Sequence, residues 1–217
     1  MINENSTYFK YDDTAGLFVS NKTKDLEKLY LFPTFVGVFD VEDHENLNNE
    51  IKNKFNVNEN ENGSRSRKNL WDQREHVGAV NRLYNIVRDN CAKYVNSFFN
   101  LELNSEDFEM KKAWLNVHHP YYPVHFHNHR QTAIAFVYYV DVVENSGGLQ
   151  FLDPRSGLGW VHPDQMKQFN LFNFHPSNGK MILFPGWMLH SIAVNKSDQN
   201  RIAVAGNVHL REDLYEY

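Results

Sequence analysis

The sequence predicts an α+β chain, mostly β with helices: a jelly-roll barrel, or double-stranded β-helix, backed by N-terminal helices. Three observations carry this. Residues 76–99 have the periodicity of an amphipathic helix. From Phe108 onward the period changes to two, and short β segments follow one another between turn signals. The chain is 41% hydrophobic and 14% aromatic over 217 residues, enough for one sizeable core and hence one domain spanning 1–217.

Taken in order, residues 1–28 are polar and mixed and read as an N-terminal extension with a short strand at Tyr8 to Lys10. Leu29 to Val41 is apolar and β-branched or aromatic but broken by Pro33 and Gly37, which predicts one or two edge strands. Asp43 is placed to cap a short helix with apolar positions Leu47, Ile51 and Phe55. Residues 56–69 are almost wholly polar and predict a flexible surface loop, its Arg65, Arg67 and Lys68 forming a solvated face or a lid over substrate. In the helix that follows, Val77, Val80, Tyr84, Val87, Cys91, Tyr94 and Phe98 make one apolar stripe, with Cys91 as inert core.

The jelly-roll core is expected over 108–210. Simple alternation puts Phe108, Met110, Lys112, Trp114 and Asn116 on one face and Ala113, Leu115 and Val117 on the other. Further strands are expected at Thr132 to Val143, Leu149 to Leu152, Lys180 to Phe184, Leu189 to Val194 and Arg201 to Leu210, with turns at Glu144–Gly148 and Asp153–Gly157.

Bulk properties narrow the function. The net charge of -5 lacks the basic excess of a phosphate-tracking protein, so no nucleic-acid partner is expected. With mean hydropathy -0.60, no membrane span is expected, and the first residues lack the pattern of a signal peptide. Cys91 is the single cysteine, which excludes an internal disulfide and suits a cytoplasmic setting. Histidine is the outlier: of 11, six fall between His118 and His162.

Those histidines suggest a metal. Iron(II) that must bind both a cosubstrate and O2 needs three protein ligands on one face and an open face opposite. A His-x-His pair supplies two, and a distant strand must supply the third. His127-Asn128-His129 with His190 fits, although His125-Phe126-His127 has the same spacing. Arg201 stands among Ile202, Ala203, Val204 and Ala205, where a buried guanidinium needs an anion. A zinc hydrolase or lyase built on three histidines remains a rival but leaves Arg201 unexplained. A second rival is a non-catalytic, cupin-like binding module with aromatic platforms such as Trp160 and Trp187.

Several motifs occur in sequence order: Ala113-Trp-Leu-Asn116, His127-Asn-His129, Val137-Tyr-Tyr-Val140, Gly147-Gly-Leu-Gln-Phe-Leu-Asp-Pro-Arg155, Leu183-Phe-Pro-Gly-Trp187 with His190, and Arg201-Ile-Ala203. This series resembles the iron(II)- and 2-oxoglutarate-dependent oxygenases. Within them it is most similar to a small, prolyl-4-hydroxylase-like branch from bacteria and phages, from about Leu31 to Asn207. The resemblance implies a dioxygenase that uses Fe(II), 2-oxoglutarate and O2, with ascorbate as a reductant. It would hydroxylate a peptide residue or small molecule and release succinate and CO2. It assigns the metal to His127, His129 and His190, and the far carboxylate of 2-oxoglutarate to Arg201, with Asn116 and Tyr138 or Tyr139 as further contacts. Two positions depart from the wider superfamily: His129 stands where it has Asp or Glu, so water is an alternative second ligand, and Ala203 stands where it often has Ser. His118, His119, Tyr121 and Tyr122 are expected to rim the pocket. The resemblance implies a bacterial or phage-infected cytoplasm and leaves homodimerisation and the substrate open.

Overall fold

The computed structural model describes residues 7–12, 16–22, 27–31, 33–55, 65–73, 77–99, 101–155 and 171–214. Trp160, His162 and the end of the Asp153–Gly157 turn lie outside them, as does most of the predicted loop at 56–69.

The N-terminal segment holds more strand than its polarity suggests. It forms a three-stranded antiparallel meander, β1 (Thr7–Asp12), β2 (Gly16–Lys22) and β3 (Glu27–Leu31). After it come β4 (Gly37–Asp40) and α1 (His44–Lys54). Asp43 stands at the start of α1 in the left-handed region, φ 52°, and its side chain makes no capping bond, contrary to the sequence reading. Residues predicted as loop then yield β5 (Arg65–Asn69), a strand hydrogen-bonded along β6.

The long helix α2 (Gly78–Phe99) follows its predicted stripe: Val80, Leu83, Val87, Cys91 and Tyr94 are buried. The remaining strands are β6 (Phe108–His118), β7 (Val124–His127), β8 (Ile134–Asp141), β9 (Leu149–Leu152), β10 (Leu171–Phe174), β11 (Lys180–Pro185), β12 (His190–Ile192) and β13 (Arg201–Leu210). They build a six-stranded sheet, β4-β11-β8-β13-β6-β5, and a four-stranded sheet, β10-β9-β12-β7.

This is a jelly-roll-like α+β fold, but among the described residues neither sheet closes into the expected barrel. The order of the larger sheet gives the reason. Strands from the N-terminal part, β4 and β5, occupy both of its edges, so the core strands β11 and β6 have no free edge to offer the smaller sheet.

Two apolar clusters lie on opposite faces of the larger sheet. Phe108, Leu115, Phe136, Tyr138, Leu183 and Val204 pack on the helical side with Leu47, Ile51 and the α2 stripe. Trp114, Val137, Tyr139, Phe151, Ile182 and Phe184 fill the space toward the smaller sheet. Burying a Leu- or Phe-sized side chain stabilises by about 1.5–3 kcal/mol, so these layers fix the strand registers.

Simple alternation fails in β6. Asn207 of β13 pairs with Lys112 and Val208 with Met110, so Lys111 is an extra residue in the ladder. This bulge flips the parity: Phe108 and Met110 face the helices together with Ala113, Leu115 and Val117, while Trp114 faces the smaller sheet.

Candidate active site

The structure brings His127, His129 and His190 together, with their ligand-capable nitrogens within 4.8 Å of one another. The ring centroids of His127 and His190 are 4.3 Å apart, and those of His129 and His190 5.0 Å. No carboxylate joins the group among the described residues.

Backbone geometry selects these three. His127 ends β7 directly opposite His190 of β12. Next along, Ile192 pairs with Val124, so two residues of β7 oppose one of β12. That bulge breaks the i, i+2 rule that would have put His125 and His127 on one side. His129 lies past the strand end, where its amide N–H donates to the Gly186 carbonyl at 2.8 Å. The Pro185-Gly186 turn before His190 thus also seats His129.

Each imidazole is held through Nδ1. That of His127 lies 2.8 Å from the His125 carbonyl oxygen, that of His190 2.9 Å from the Met188 carbonyl oxygen, and that of His129 2.6 Å from Asn207 Oδ1. All three partners are acceptors, so each ring carries its proton on Nδ1 and presents the Nε2 lone pair. Burial, and secondarily the two neighbouring imidazoles, lowers the pKa of His190 to about 4 against the opposing pull of its Met188 bond. At neutral pH the ring is therefore a neutral donor, as metal ligation requires. The donor set suits a borderline transition-metal ion.

Arg201 opens β13, fully buried at 0% exposure. Its Nη1 donates to the Gly147 carbonyl at 2.7 Å, and the guanidinium carbon lies 5.7 Å from the Tyr139 ring centroid. Among the described residues Nε and Nη2 have no acceptor, and the Tyr139 hydroxyl has no partner. Burial lowers the guanidinium pKa and pushes the Tyr139 phenol up to about 12. Gly147 shapes this corner: its φ is +84°, and a Cβ there would strike the Ala193 carbonyl. A buried charge with unused donors beside an unused hydroxyl has the chemistry to hold an anion.

The other expected residues separate. Asn116 is buried in register with Ala203 and has the parity of Trp114, which puts it on the inner face. Tyr138 points to the helices, where its hydroxyl donates to Asn48 Oδ1 at 2.6 Å; of the two tyrosines, Tyr139 faces Arg201. His118 is buried opposite Arg201 in the β6–β13 ladder. His119 contacts Asn200, and Tyr121 and Tyr122 are exposed. None of these four borders the open pocket, about 520 Å³ in volume, that His127 and His129 line. Asn207 escaped the sequence reading, yet even spacing from Arg201 along β13 puts it on the same face as Ala203 and Ala205 and was a usable signal. Lys112, on that pocket's wall, escaped it as well.

A family model described as "Putative 2OG-Fe(II) oxygenase" matches residues 112–207, a little under half of the chain. Among solved structures, a Pseudomonas putida prolyl-4-hydroxylase is similar over 82% of this chain and 94% of that one, with TM-score 0.57 and 14% identity. HygX from Streptomyces hygroscopicus, with nickel and 2-oxoglutarate bound, is similar over 82% and 84%, with TM-score 0.58 and 8% identity. AviO1 from Streptomyces viridochromogenes is similar over 82% and 90%, with TM-score 0.56 and 11% identity. At these identities the likeness is one of fold. A search of curated proteins finds no match. The family model thus matches the segment that carries the three imidazoles and Arg201, and the solved structures share the fold over most of the chain. Among the described residues no helix is long and apolar enough to cross a membrane.

Proposed function

We propose that this protein is an iron(II)- and 2-oxoglutarate-dependent dioxygenase that hydroxylates a small molecule or a peptide residue. One observation carries the reading. Three imidazoles presenting Nε2, one of them held by Asn207 of β13, share an inner face with Arg201, which opens that strand buried and with two nitrogens unused among the described residues. A cosubstrate with a chelating end and a distant carboxylate matches both features. HygX, of similar fold, has nickel and 2-oxoglutarate bound.

In this reading His127, His129 and His190 hold the iron through Nε2. Their Nδ1 bonds to the His125 and Met188 carbonyls and to Asn207 fix ring orientation before the metal arrives. Iron with 2-oxoglutarate and O2 would supply the oxidative chemistry, yielding succinate and CO2 with hydroxylation of the substrate. Arg201 grips the far carboxylate with Nε and Nη2, held at the right angle by the Gly147 carbonyl. The Tyr139 hydroxyl donates a further hydrogen bond, supplying what the serine usual at position 203 would give. Asn116 is a third polar contact on that face. Phe184, with its ring centroid 4.8 Å from that of His190, and Trp114, 5.8 Å from His129, keep water from the closed side. A zinc hydrolase would use the imidazoles but leave the unused Arg201 donors without a role.

Purified protein supplied with iron(II), ascorbate, O2 and 2-oxoglutarate is expected to form succinate slowly even without its own substrate. Absence of succinate from folded, iron-loaded protein would refute the reading.

A further inference from the structure

The open pocket beside the imidazoles carries a charge opposite to that of the chain. The protein is -5 overall, yet among the described residues the charged side chains lining this pocket are Lys112 and Arg130, with no Asp or Glu. Neither cation forms an ion pair among the described residues, whereas Lys111, next in sequence, contacts Glu109 at 2.6 Å.

The β6 bulge explains the difference between the two lysines. With Lys111 as the extra residue, Lys112 takes the parity of Trp114 and Asn116 and stands in register with Asn207, which holds His129. The outward lysine is neutralised, and the inward one is left charged at the mouth of the site. Arg130 follows His129 directly and lines the same pocket. Trp114 and Phe126 supply apolar surface between the cations and the imidazoles, and Phe126 is 43% exposed. Two uncompensated cations over an apolar wall concentrate and orient small anions.

We propose that the primary substrate is a small anion, whose carboxylate or phosphate is held by Lys112 and Arg130 while its flat or apolar body lies against Trp114 and Phe126. This rests on the dioxygenase reading only for the chemistry at the metal.

The test uses three matched probes, phenylacetate, phenyl phosphate and neutral phenylacetamide, titrated by ligand-observed NMR into the metal-free protein. The anionic probes are expected to bind about tenfold more tightly than the amide, a difference of about 1.4 kcal/mol. The tighter of the two shows whether carboxylate or phosphate is the natural group. The preference should vanish in Lys112→Gln/Arg130→Gln and reverse in Lys112→Glu/Arg130→Glu. Both sites are exposed, and circular dichroism checks the fold. It should persist in Arg201→Gln, which removes the other anion-binding group. Equal or absent binding of the anions, a preference kept by the Lys112→Gln/Arg130→Gln protein, or one lost in Arg201→Gln alone overturns the proposal. Because no iron is present, this outcome and that of succinate formation are independent.

Discussion

At one end of the inner face each imidazole has its Nδ1 held by a protein oxygen; at the other, Arg201 has Nη1 held while Nε and Nη2 have no acceptor among the described residues. In the proposed reading both ends are prepared for a ligand, by opposite means. An imidazole has two nitrogens, so the protein can satisfy one and leave the other for a cation. A guanidinium gripping a carboxylate must keep its fork unoccupied, because a protein carboxylate there would neutralise it. The imidazole end is therefore well satisfied without ligand. The arginine end carries buried unsatisfied donors, each costing about 1–3 kcal/mol.

The largest expected effect that sharpens this contrast is on acid stability. The folded-state pKa of His190, about 4, lies below the ordinary value of 6.5, so the unfolded chain takes up the proton first as pH falls. Stability is unaffected by this group above about pH 6.5 and declines by about 3 kcal/mol toward pH 4. Urea unfolding of the metal-free protein across that range should show the decline, and His190→Leu should remove this part of it. A slope the variant leaves unchanged would mean His190 is not buried neutral.

Next comes Asn207→Ala, which frees the His129 ring. A loss of about 10- to 100-fold in metal affinity is expected, measured by competition with a chelator, with the fold intact. Affinity equal to the parent's would show that the Asn207 contact does not orient the ring. The smallest effect is expected from Arg201→Met, which exchanges a buried unsatisfied charge for an apolar chain of similar length. The metal-free protein should become more stable, by about 1 kcal/mol, in thermal unfolding. A destabilised variant would indicate that Arg201 is satisfied within the fold.

The two ends also differed in how far the sequence revealed them. Arg201 was legible because a cation inside an apolar β-run is a local contradiction that needs an anion. Its companion was not, since Tyr138 and Tyr139 are adjacent and only strand parity, set by the pairing of β8 with β11 and β13, turns Tyr139 inward. The histidines were legible as a cluster, but their grouping depended on the bulge between β7 and β12, which composition does not signal. The bulge at Lys111 likewise broke the alternation read for β6. The helix α2 and strand β13 were read closely because each has a long apolar stripe at one period. Strand β5 was missed because its pairing is dictated by the free edge of β6, and its own residues are polar.

The central claim is that metal and cosubstrate are held by two separable halves of one site. Calorimetric titration of 2-oxoglutarate into anaerobic, iron(II)-loaded Arg201→Ala, beside iron loading of His190→Ala, tests it directly. Arg201→Ala is expected to load iron as the parent does and to lose about 2–5 kcal/mol of 2-oxoglutarate affinity, with Arg201→Lys recovering only part. His190→Ala is expected to lose iron first. If Arg201→Ala, with its fold confirmed by circular dichroism, binds 2-oxoglutarate as tightly as the parent, Arg201 does not hold the cosubstrate and the account fails.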